Sequence, residues 1–134
     1  MTTLQERQPG MKFPYVLRQG NPYDVHVYYG SPEEQEAAME LRGKMKIAFP
    51  WMVFSKPWDR PIGPHPVSMW EADFGDHESW DKWSTVRDFL LENNPKNLSI
   101  LIHPNSLDGV YADHTKHAYW VGEKLDLRIP PRWM

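Results

Sequence analysis

Polar and apolar residues alternate through NPYDVHVYYG: Val25, Val27 and Tyr29 fall on one side, and Asp24, His26 and Tyr28 on the other. A period of two over this length predicts a half-buried strand. In SPEEQEAAMELRGKMK the period changes. Ser31 suits an N-cap, Pro32 the first helical position and Glu34 the far corner of a capping box. Ala38, Leu41 and Met45 then recur on one helical face, so this segment is predicted to be a helix with its stripe toward a core. WMVFS reads as a second strand, and KPWDRPIGPHP, with its prolines and a glycine, as a stiff connector. VSMWEADF alternates again, setting Trp70, Ala72 and Phe74 against Met69, Glu71 and Asp73. Asp76 is expected to cap a second helix with Trp80, Trp83, Val86 and Leu90 as its buried stripe, stopped by Asn93, Asn94 and Pro95. NLSILIH closes the series as a fourth strand.

The order is β-α-β-β-α-β with a C-terminal extension, the split-βαβ arrangement called ferredoxin-like, an α+β fold with an antiparallel sheet. Residues 1–20 carry no periodicity and read as a flexible N-terminal arm, leaving 21–134 as a single domain. Both helices of such a fold pack on one side of the sheet, and the more apolar set of each strand should face them. Val25 and Val27, then Trp70, Ala72 and Phe74, then Leu98, Ile100 and Ile102 are therefore assigned inward. That leaves His26, Glu71 and His103 together on the open face. In the strand order 4-1-3-2 the first strand runs antiparallel to both neighbours. His26 is early in its strand and the other two are late in theirs, so their ends should meet. Two histidines and a carboxylate with open positions is the donor set of non-haem Fe(II) oxygenases. His65 shares the parity, but an extended chain would put it roughly 20 Å from Glu71, so it joins only if the connector bends back or a partner subunit supplies it. His77 and His117 read as surface, the latter unless the tail folds over the site.

Composition narrows the chemistry. At 134 residues the chain is one domain by size and long enough for a real core. A net charge of -3 without basic clusters offers no footprint for nucleic acid. No apolar run approaches the ~20 residues of a membrane span, and the N-terminus has no secretory h-region. The absence of cysteine excludes disulfides and thiolate sites and fits the cytoplasm. Any metal must then be held by nitrogen and oxygen.

YDVHVYY, RPIGPHPVSMWEADF, LSILIHPN and DHTKHAYWVGEKLDL together resemble the DOPA 4,5-dioxygenase family of small extradiol ring-cleaving enzymes, from about Tyr23 to Leu127. The resemblance implies a ferredoxin-like homodimer, non-haem Fe(II), and O2-dependent opening of a catechol such as L-DOPA to a muconic semialdehyde. It marks His26, His65 and His103 as motif histidines and His114 as the histidine of the DH pair. Strand geometry favours Glu71 as the third metal ligand and the GPHP motif favours His65; the two stay open at this point. Fe(II) held on one face by three protein groups keeps positions for a catechol and O2. A histidine, with an ordinary pKa near 6.5, suits the accompanying proton transfers. His114 is expected in that role, with Asp113 orienting its ring and the DHTKHAYWVG stretch acting as a lid. The alternative is a metal-binding or metal-free ferredoxin-like domain that binds an aromatic ligand without oxidising it. A metal-dependent hydrolase is a third class, without a supporting motif.

Overall fold

The computed structural model describes residues 14–134. It contains β1 (Tyr23–Tyr28), α1 (Pro32–Ala48), β2 (Val53–Phe54), β3 (Met69–Asp73), α2 (Trp80–Asn93), β4 (Ile100–Pro104), α3 (Val110–His114) and β5 (Tyr119–Val121). The strands form one antiparallel sheet in the order β2-β3-β1-β4-β5. The ferredoxin-like order is thus present, and the C-terminal extension adds β5 along the free side of β4. Among the described residues no helix is long and apolar enough to cross a membrane.

Local chemistry explains the helix ends. Ser31 Oγ accepts from Glu34 N at 3.2 Å, while Glu34 Oε1 accepts from Gly30 N at 2.8 Å, which satisfies two donors at the start of α1. The second helix starts later than the sequence predicts. Ser79, not Asp76, is its N-cap, accepting from Lys82 N at 3.1 Å. Asp76 has φ 75° and accepts from Gly20 N instead, so a side chain suited to capping is used to tie down a distant loop.

The expected stripes of both helices meet Val25, Val27, Trp70, Ala72, Phe74, Leu98, Ile100 and Ile102 in one core. The opposite face of the sheet, however, is not open. All six residues of β1 are buried, and Tyr28, Met69 and Leu101 form a second apolar cluster under Trp58, Ile62, Val67, Trp120, Leu125 and Leu127. The proline-rich connector and the tail fold over this face and are joined to each other where Arg128 N donates to Pro64 O at 2.7 Å. The apolar side chains in both segments account for the closure, since each would otherwise lie in water.

The expected arm is likewise tied down over its described part. Leu17 bridges to Ser106, Arg18 N donates to Asn105 O, and Tyr15 is buried. Residues 1–13 of that arm lie outside the described residues.

Gly122, which ends β5, is required by its backbone. Its φ is 74°, and a Cβ there would stand 2.3 Å from Leu98 O. Gly122→Ala should therefore lower stability by at least the ~1–3 kcal/mol of a strained backbone position, read as a lower midpoint in urea unfolding. An unchanged midpoint would mean that β5 is not seated against Leu98 in this way.

Candidate metal centre

Register places the polar side chains of the second face in two adjacent rows. Glu71 stands opposite His26, and Asp73 and His103 stand on either side of Asp24. His26 and His103 are diagonal neighbours across β1 and β4, and their Nε2 atoms are 2.9 Å apart. Both are almost fully buried, at 3% and 2% exposure. Asp24 Oδ2 lies 3.8 Å from His103 Nε2. The donor atoms of Asp24, His26 and His103 all fall within 4.8 Å of one another.

The donor set fits a metal ion. Two nitrogens bound at about 2.1 Å in adjacent positions of one ion would stand about 3 Å apart, close to the separation found. His103 Nδ1 donates to Pro104 O at 2.9 Å, which leaves Nε2 as a lone pair aimed at the centre. The carboxylate of Asp24 is held by two amides, Asn21 Nδ2 at 2.7 Å and Asn105 Nδ2 at 3.2 Å. Burial and the neighbouring imidazoles lower the pKa of His26 well below the usual range and that of His103 to about 3. Both are therefore in the neutral form that binds metals. Burial pushes the Asp24 carboxyl up, and Glu71, through burial and then the charge of Asp24, rises to about 7. Carboxylates crowded in this way are stabilised in their charged form by a cation. His26 Nδ1 is buried and has no hydrogen-bond partner among the described residues.

The connector does bend back. His65 N donates to Ile62 O at 3.0 Å across a turn in which Gly63 has φ 55°. This turn brings the His65 ring centroid to 4.2 Å from that of His26. This is the bent path on which the sequence allowed His65 to join, and His65 reaches the site within one chain. Its Nδ1 lies 2.7 Å from the hydroxyl of Tyr28. Burial, reinforced by the charge of Glu71, keeps that phenol protonated far above its ordinary range. In the tautomer that accepts from this phenol at Nδ1, His65 carries its proton on Nε2. Neither His65 nor Glu71 is in the convergent group, although both line the same cleft of about 250 Å³ with His26, His103, Asp24 and His114.

His114, the last residue of α3, stands over the cleft with its ring centroid 4.1 Å from that of His103 and 6.4 Å from that of His65. Its Nδ1 donates to Val110 O at 2.8 Å, which leaves Nε2 outside that bond. Trp133 lies against its ring, at 5.3 Å between centroids. Asp113 makes no hydrogen bond to this ring, the direct contact that the sequence predicts. Its carboxylate turns the other way, to Ser106 N and Oγ. His117, expected at the surface, is buried and bonded to Asp108 Oδ2 at 2.7 Å. His77 is half-buried against Trp51 and takes no part.

Asp24 is the site residue that the sequence reading left out, although the alternation of YDVHVYY already places it with His26. The comparison with known proteins meets this geometry at residues 23–130, which match the model of the Dopa 4,5-dioxygenase family. The chain belongs to that family. The chain is 34% identical over 115 residues to an uncharacterised 21.2 kDa protein of Botryotinia fuckeliana, covering 80% of this chain and 61% of the other. It is 29% identical over 120 residues to the DOPA 4,5-dioxygenase of Amanita muscaria, covering 80% and 47%. The chain thus spans between about half and three fifths of the length of these relatives. A crystal structure of a candidate dioxygenase from Nostoc punctiforme shares the fold with a TM-score of 0.69 and 28% identity, over 81% of this chain and 88% of that one.

Proposed function

We propose that this protein is a non-haem Fe(II)-dependent extradiol dioxygenase that opens the ring of L-DOPA or a related catechol with O2 to a muconic semialdehyde. The observation that carries the reading is the convergence of Asp24, His26 and His103 at the floor of a cleft whose walls hold two further imidazoles. Two histidines and one carboxylate are the donor set expected for Fe(II) in O2-using enzymes, and Asp24, His26 and His103 would hold it. Bound there, iron supplies a Lewis acid for the catechol oxygens and an electron path to O2.

The chain's own residues then divide the remaining work. His114, whose Nδ1 is committed to Val110 O, uses Nε2 to take a proton from a catechol hydroxyl and holds it for return later in the reaction. His65, in the tautomer that accepts from Tyr28 at Nδ1, donates from Nε2 to an oxygen that gains negative charge. Burial keeps this imidazole neutral, with a pKa near 3, so it acts as a donor without adding a charge. Tyr28, Met69 and Ile62 exclude water from the same wall, which strengthens each of these contacts. Asn21 and Asn105 hold Asp24 through their side-chain amides.

The choice of carboxylate is testable by iron stoichiometry. Asp24→Asn should lose bound iron, whereas Glu71→Gln should keep it, because Glu71 lies outside the convergent group. Retention of full iron by Asp24→Asn together with loss in Glu71→Gln would move the ligand to the other strand. Reconstitution of the metal-free protein with Fe(II), Mn(II) and Zn(II) in parallel tests the reading as a whole. O2 uptake with a catechol is expected with Fe(II) and absent with Zn(II), which has no redox chemistry.

A further inference from the structure

We propose that Ser106 and Asp113 are positioning residues for His114: the clasp between them fixes the helix that carries the imidazole, and so sets its rate of proton transfer without touching substrate. The inference rests on the reading of His114 as the proton acceptor. Asp113 is 2% exposed and Ser106 not at all. Ser106 Oγ donates to Asp113 Oδ1 at 2.5 Å, and Ser106 N reaches both carboxylate oxygens at 3.1 and 3.2 Å. The same Oγ accepts from Asp108 N at 3.1 Å, which curls the chain between β4 and α3.

Ser106 is itself anchored to the metal-binding floor. Its carbonyl accepts from Arg18 Nε at 3.1 Å, and the preceding Asn105 donates to Asn21 O and Asp24 Oδ2. Hydrogen bonds from Asn105 to Asp24 and from Ser106 to Asp113, joined by the peptide bond between the two donors, therefore connect the metal-binding floor to the residue before His114. On the other side of the loop, His117 is bonded to Asp108 and its ring lies 4.4 Å from that of Tyr15. The five-residue α3 needs such support, since a single helical turn does not hold itself together in water. Burying a carboxylate is costly unless it is hydrogen-bonded, and the three bonds from Ser106 meet that cost while fixing the turn in one geometry. His114 supplies the reason, because its ring is held over His103 by the backbone of this turn and by Val110 O within it.

A double-mutant cycle on the iron-loaded full chain tests this. Ser106→Ala is expected to lower kcat by about 10- to 100-fold, the range that follows from misplacing a reacting group by about 1 Å, with iron content and KM for the catechol unchanged. Ser106→Thr, which keeps the hydroxyl, should restore most of the rate. In a His114→Gln background, Ser106→Ala should cause no further loss, since the group it positions is gone. Asp113→Asn, whose remaining oxygen can still accept from Ser106, gives a milder version of the same pattern and serves if Ser106→Ala does not fold. Equal losses in both backgrounds, or loss of iron in the Ser106 variants, would overturn the proposal and leave the clasp a purely structural feature. If His114→Gln alone were as active as the parent, the reading of His114 would fall first and take this inference with it.

Discussion

His103→Gln and His26→Gln should each yield a folded protein that no longer holds stoichiometric iron and opens no catechol ring. The two Nε2 atoms are 2.9 Å apart and share a centre with Asp24, so each is an irreplaceable donor. Loss even of the groups that orient a ligand typically weakens metal binding by 10- to 100-fold, and loss of a ligand itself should exceed about 100-fold. Glutamine is preferred to alanine because both histidines are buried, and alanine would add a cavity to the loss of the ligand. Iron analysis, O2 uptake and a melting curve on one preparation separate the effects. Full iron and normal turnover in either variant would place the metal elsewhere.

The second large effect is expected at His114. His114→Gln should bind iron and catechol nearly as well as the parent, while kcat falls by about 10²- to 10⁴-fold, the usual worth of a positioned proton-transfer group. The imidazole stands over His103, but its donor atoms are not among those that converge with Asp24, which is why iron is expected to remain. A histidine with only a structural role predicts a lower melting temperature and unchanged turnover per folded molecule. A ligand predicts loss of iron. Single-turnover kinetics on the iron-loaded variant, beside its iron content, tell the three apart.

The strands that build the floor were legible because each alternates cleanly. Period two in YDVHVYY, MWEAD and ILIH sets the face of every residue, and antiparallel pairing in the ferredoxin-like order then brings His26, Glu71 and His103 to one region. Asp24 was legible by the same parity. Its position at the strand's start hid it, because a carboxylate there is more often solvated than bound. The cover over the site was not legible. Periodicity says nothing about where a connector with no repeat of its own will lie, and the return of GPHP depends on a turn at Gly63 and on burial of Ile62 and Val67 against Tyr28. The mistaken assignment of Asp113 has a similar origin. Sequence adjacency to His114 invites a direct contact, yet consecutive residues on a helix point to different sides, and Ser106 lies on the side that Asp113 faces. Capping was misread at α2 because Asp76 and Ser79 are both good caps, and only the loop contact to Gly20 distinguishes them.

Anaerobic loading with Fe(II), addition of a catechol and admission of air measures the central claim directly. The expected result is uptake of one O2 for each ring opened, together with a yellow semialdehyde product, first with L-DOPA and then with simpler catechols. A protein carrying full iron that consumes no O2 and forms no colour with any catechol, while still binding the ring, would contradict the account and leave a binding domain in its place.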